Sequence, residues 1–181
     1  YAEELQNTHL VARGCYATGD CYVALGNLGE AAVHYHRALI VFREFGPTLH
    51  RVETEWGIAR IVLRSGNYSD AIRRLRDVAT QFEKLQMVTQ AAYVELDVME
   101  ALLALNKPRR IVPLAQRLVR VFTNAGMLTG ALSAFAYLKE SAASGELRVR
   151  DLDEVRSFLR RAERQPYLEF VRPQRQSEDF V

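Results

Sequence analysis

Residues 15–39, CYATGDCYVALGNLGEAAVHYHRAL, bring together two cysteines, three tyrosines, an aspartate, three glycines and a His-Tyr-His triplet. Thiols and imidazoles are the usual ligands of zinc, and paired thiols carry redox exchange. Spacing decides whether these can act together. Cys15 and Cys21 are six residues apart, which on a helix is about 600° and leaves the side chains about 240° from each other. They then cannot bridge each other or share a metal, and packed free thiols are expected. His34 and His36, two apart, diverge in the same way, and His9 and His50 stand alone. The chain contains no G-x-S-x-G, no H-E-x-x-H and no glycine-rich phosphate loop. GNLG closes a helix instead of following a strand, so its glycines serve a turn. The residues point to no catalytic group, no cofactor and no metal, and to a non-enzymatic protein.

The elements that carry these residues are helices. IARIVL, AIRRLRDVATQFEKL, VELDVMEALLAL and IVPLAQRLVRVF all place apolar residues three and four apart. No segment alternates with period two. Pro47 and Pro108 stand where helices would begin or end. The pattern also repeats. Phe42, Phe82 and Phe122 are evenly spaced at 40 residues; Gly26-Asn27 returns as Gly66-Asn67, and the next slot holds Asn106-Lys107. Ala31 matches Ala71, while Leu25 matches Leu105 and Gly46 matches Gly126 two periods on. A fixed interval of this length marks a repeat architecture, with room for two helices and two short turns per unit. The predicted pairs are 5–25 with 29–45, 48–65 with 69–86, 88–105 with 108–125, and 127–143 with 150–163. Residues 1–164 thus form one repeat domain, of units 5–45, 48–86, 88–125 and 127–163. Residues 165–181, with two prolines and no period, form an extended C-terminal tail.

Composition bounds the function. The 181 residues are 49% hydrophobic and 25% charged, as in globular proteins. A formal charge of +2 is too balanced to make nucleic acid or an anionic membrane the main partner. Late basic residues, in LRVRDLDEVRSFLRRAERQ, interleave with Asp151, Asp153, Glu154 and Glu163, as on a solvated helix face. No apolar run approaches the roughly 18–20 residues that span a bilayer. The opening YAEELQNTHL lacks the basic start and apolar core of a signal peptide. With two cysteines a disulfide framework is not expected, and a reducing cytoplasm is. The chain starts on a helix without methionine, as a piece of a longer protein would.

Within each unit the residues resemble the tetratricopeptide repeat. Gly19 takes the helix-crossing glycine slot, Tyr22 the aromatic after it, Gly26-Asn27-Leu28 the turn, and Ala31, Tyr35 and Ala38 the second helix. Unit two places Ala59, Val62, Gly66-Asn67-Tyr68 and Ala71 in the same slots. Unit three puts Met99 and Ile111 where small residues belong, and unit four keeps little beyond its periodicity, as a terminal capping pair does. The 40-residue length exceeds the usual repeat of about 34 and is similar to longer-helix variants of bacterial signalling proteins. The resemblance implies an all-α fold, a right-handed α-α superhelix of about four helix-turn-helix repeats. It implies a concave groove lined by first helices, where Arg13, Tyr16, Asp20 and Val23 lie on unit one. Glu53, Trp56, Arg60, Leu63 and Arg64 follow on unit two, then Tyr93, Leu96, Glu100 and Leu103 on unit three. The single tryptophan in this set is a typical interface anchor. The groove's charges are mixed, which suits a peptide or helix with apolar anchors better than a strongly basic carboxylate clamp does.

The leading expectation is a scaffold that binds a protein or peptide, as part of a larger bacterial regulatory protein. One alternative is a sensor in which a ligand or peptide tightens the superhelix and controls an attached effector. Another is a self-association domain forming homo-oligomers through one face or through the apolar YLEFV of the tail, for which the equal alternative is an ordered tail folded back on its own chain.

Overall fold

The computed structural model describes residues 2–124, 129–165 and 167–173. Among them are eight α-helices, one 3₁₀ turn and no strand. The helices are α1 (Ala2–Ala24), α2 (Leu28–Glu44), α3 (Thr48–Arg64), α4 (Tyr68–Lys84), α5 (Val88–Ala104), α6 (Ile111–Asn124), α7 (Thr129–Ala143) and α8 (Val149–Ala162). The 3₁₀ turn Pro108–Arg110 leads into α6. Leu28, Tyr68 and Pro108 open equivalent elements at a constant interval of 40 residues. Among α1–α4 and among α6–α8 consecutive helices pack on each other, in an all-α helical repeat arrangement.

The turns that close the first helix of each unit recur at intervals of 40, 40 and 39 residues. Gly26, Gly66 and Gly145 have φ of 77°, 80° and 77°, and Asn106 has φ of 54°. Each sits just past a helix, in the left-handed conformation that glycine and asparagine adopt most cheaply. At each, two backbone N–H groups turn back to the last carbonyls. Gly26 N donates to Val23 O (3.1 Å) and Asn27 N to Tyr22 O (2.9 Å); Asn106 N and Lys107 N repeat this on Leu103 O and Leu102 O, both at 2.8 Å. Asn27 also caps α2, its Oδ1 accepting from Glu30 N. The counterpart of Gly46, Gly126, lies outside the described residues.

The repeated apolar positions are interior. Phe42, Phe82 and Phe122 are 2%, 0% and 2% exposed, and Ala31, Ala71 and Ile111 are fully buried. The chain divides into two compact units, Tyr1–Ala101 and Leu102–Val181. In the N-terminal unit, α1 packs on α2, α2 on α3 and α3 on α4. The Tyr35 ring is its pivot. A Cβ added to Gly19 of α1 would stand 2.7 Å from this ring, and one added to Gly57 of α3 would stand 2.8 Å from it. Both helices therefore approach α2 at a distance that only glycine allows.

In the C-terminal unit α6 packs on α7 and α7 on α8, with Phe122 edge-on to Phe135 at 4.9 Å. Residues 168–173 have no regular secondary structure and fold back as a strap. Phe170 lies 5.7 Å from the Tyr137 ring and 5.2 Å from Phe158, and Arg172 pairs with Glu140 at 2.9 Å. A Cβ on Gly130 would collide with the Leu168 carbonyl, so a bare backbone there lets the strap lie down.

The two thiols are free and have different surroundings. Cys15 packs against Ala12, Ala38 and Phe42, whereas Cys21 is exposed on α1. The expectation of packing thus fails for Cys21, which points away from the α1–α2 contact.

Candidate partner-binding face

Five of the thirteen groove residues come together in the N-terminal unit: Tyr16 and Asp20 from α1, with Glu53, Trp56 and Arg60 from α3. Tyr35 begins the cluster from below. Its ring is buried between the two glycines, and its hydroxyl emerges to donate to Asp20 Oδ1 at 2.5 Å. Tyr16 lies against Tyr35, ring centroids 5.6 Å apart. Burial first, then the charges of Asp20 and Glu53, push the Tyr16 phenol up to about 12, with Arg60 opposing. Burial and the Asp20 hydrogen bond move Tyr35 in the same direction. Both phenols therefore stay protonated as hydrogen-bonding groups through the physiological range.

Trp56 forms the second half of the face. Its indole N–H donates to Asp97 Oδ2 of α5 at 2.8 Å, and Phe82 of α4 supports the ring edge-on at 5.8 Å. Arg60 stands one helical turn on, with its guanidinium carbon 5.9 Å from the Trp56 ring centre and its Nε 3.9 Å from the same Asp97 oxygen. Asp97, 6% exposed, fixes both side chains. The sequence reading missed it because a lone aspartate within VELDVMEALL carries no spacing signal. Beside Tyr16 a depression of about 260 Å³ is bounded by Arg13, Phe42, His50 and Glu53. There His50 Nδ1 and Glu53 Oε2 are 3.2 Å apart.

The other expected residues are placed differently. Arg13 is exposed at the rim, and Arg64 is exposed with its guanidinium donating to the Val23 carbonyl at 3.2 Å. Val23, Tyr93 and Glu100 are half-buried, and so is Leu103, which belongs to the C-terminal unit. Leu63 (5% exposed) and Leu96 (0%) are interior. Leu63 sits seven residues beyond Trp56, which rotates it about 20° back toward the packed side of α3. Leu96 occupies the same repeat slot as Tyr16 and Trp56. An aliphatic chain there stays inside, whereas the two aromatics reach outward with a polar atom to present.

A larger cleft of about 450 Å³ lies among α2, α3 and α4, lined in part by Arg43, Arg51, Arg73, Arg74 and Glu55. Its guanidiniums are already committed to the protein's own carboxylates. Glu55 accepts from Arg43, Arg51 and Gln81, at 3.3, 3.2 and 3.0 Å. Asp70 accepts from Arg73 and Arg74, and these hydrogen bonds hold its carboxyl below the usual range. The smaller face offers aromatic surface as well as charge, which makes it the better candidate.

Among the described residues no group of three or more His, Cys, Asp or Glu side chains could hold a metal ion, and no helix is long and apolar enough to cross a membrane. In comparisons with known proteins, no family model, curated protein or solved structure matches the chain.

Proposed function

We propose that the face around Tyr16 and Trp56 binds a protein or peptide segment, and that the chain is a non-enzymatic scaffold of the tetratricopeptide-repeat type. The observation that carries this reading is Trp56 itself. The ring is half-buried, its N–H is oriented by Asp97, Arg60 lies over it, and all of these sit on packed helices. A preorganised aromatic and arginine pair costs little entropy to immobilise and forms a typical interface hot spot. Asp20 and Glu53 against Arg13 and Arg60 give mixed polarity, suited to an amphipathic peptide with apolar anchors. A place within a larger bacterial regulatory protein and a cytoplasmic setting belong to the same proposal; two free thiols are compatible with a reducing compartment.

The single tryptophan makes the test direct. Peptides selected from a random display library against the wild-type chain should shift its indole emission on titration. Trp56→Ala should weaken them by about 2 kcal/mol or more, near thirtyfold in Kd. Selected peptides that leave the emission unchanged and bind Trp56→Ala equally well overturn the assignment.

A further inference from the structure

We infer that the outer face of α1 is a self-association surface that pairs antiparallel with α1 of a second copy of this chain. In α3 the slots Thr54, Gly57, Ile58 and Ile61 are all buried. Gly57 meets the Tyr35 ring, and Ile58 and Ile61 belong to one cluster with Ala31, Tyr35 and Leu39 of α2. The same slots one repeat earlier, Gly14, Ala17, Thr18 and Cys21, lie on the outer face of α1. Gly14, Ala17 and Cys21 are exposed and Thr18 is half-buried. Around them Leu10, Val11 and Leu25 are 56%, 66% and 78% exposed. A face that the repeat elsewhere buries against a helix is here open and apolar.

The residues on that face specify the occupant. Leu10, Gly14, Ala17, Cys21 and Ala24 are spaced four, three, four and three apart, the seam of a two-helix pairing. A twofold axis midway between Gly14 and Ala17 sets each of these against the other's counterpart in the second copy, and Leu10 against Cys21. On one flank Val11 and Thr18 then face each other. On the other flank Arg13 faces Asp20 of the second copy, and Asp20 faces its Arg13. The charges therefore attract in the antiparallel arrangement, whereas parallel pairing would set Arg13 against Thr18 and Asp20 against Leu25, with no ion pair. Small seam residues let the helices approach closely. The Tyr35 hydroxyl occupies only one oxygen of Asp20.

Analytical ultracentrifugation tests this. The wild-type chain should show a reversible monomer–dimer equilibrium in the micromolar range. Arg13→Asp alone, with acids facing acids, and Asp20→Arg alone, with bases facing bases, should each raise the dimer Kd by about tenfold or more. An equimolar mixture of the two variants should restore dimers, because every pair is again opposite in sign. Ala17→Glu, checked for native helicity by circular dichroism, should be monomeric and serves if Asp20→Arg does not fold. Trp56→Ala should sediment as wild type, because the indole lies outside the seam, although Arg13 and Asp20 border both surfaces. A wild-type chain that is monomeric at high micromolar concentration overturns the inference. So does a dimer indifferent to Ala17→Glu, or a mixture of folded charge variants that stays monomeric.

Discussion

α1 and α3 occupy the same place in their repeats, yet their equivalent slots differ. Thr54, Gly57, Ile58 and Ile61 of α3 are all buried, whereas Gly14, Ala17 and Cys21 of α1 are exposed. Tyrosine–aspartate pairs in the C-terminal and N-terminal units divide in a similar way. Tyr137 donates to Asp151 at 2.7 Å, and Asp151 is 5% exposed with its other oxygen accepting from Arg148 N at 2.8 Å. Tyr35 donates to Asp20, which is exposed. One tyrosine–aspartate pair is sealed into packing, and the other brings a carboxylate to the surface next to a hot-spot candidate. A repeat slot therefore fixes geometry, while its neighbours decide whether the geometry serves stability or recognition.

The sealed region should be the more sensitive. Phe158→Ala removes a ring that is 1% exposed and supports Phe170. It should cost about 3–5 kcal/mol in denaturant unfolding and open the 167–173 strap to proteolysis. Tyr137→Phe leaves a buried carboxylate oxygen without its donor and should cost about 1–3 kcal/mol. Tyr35→Phe should cost about 1 kcal/mol or less, because water can reach Asp20. Equal losses at the two tyrosines would erase the contrast. Gly57→Ala should cost about 1–3 kcal/mol by overpacking against Tyr35, less a helix-propensity gain.

Alkaline titration sharpens the surface half of the comparison. Tyr16 binds its proton more tightly folded than unfolded, with a pKa about 12 against the ordinary 10.0. Its stabilising contribution is thus whole below pH 10 and is lost as pH rises through about 12. Tyr16→Phe should flatten the fall in unfolding free energy across that window, and an unchanged slope would contradict the arrangement. The smallest effect is expected at Gly14, where an added Cβ meets nothing within 4 Å. Gly14→Ala should stabilise by up to about 1 kcal/mol, read as a small rise in Tm.

The repeat was legible because its markers answer to the backbone alone. The three phenylalanines face inward at constant phase, and the turn glycines stand where φ is positive. Predicted helix ends fall within a few residues of those observed. Gln86 also adopts positive φ, at 59°, and carries the same paired N–H bonds. Nothing in its type announces this, since the cap forms from backbone and tolerates the modest strain of a Cβ. The aromatic members of the candidate face could be named, but their gathering could not be read from spacing. It depends on Asp97, 41 residues from Trp56, and on the depth at which each slot meets its neighbours. Burial of Leu63 and Leu96 and exposure of Cys21 were hidden for the same reason, and the fold-back of Phe170 is one of two readings of YLEFV between which its spacing does not choose.

The helix-closing turns have a consequence for how such a chain can change over generations. Each closes its paired N–H bonds on the carbonyls of its own helix, and at the first turn Arg64 adds a further donor to Val23 O. An insertion or deletion of one whole period would therefore leave every loop intact and preserve the phase of the remaining phenylalanines. A change of another length inside a helix would rotate that helix's later side chains out of step unless it added whole turns, so duplication of entire hairpins is the change that disturbs this backbone least.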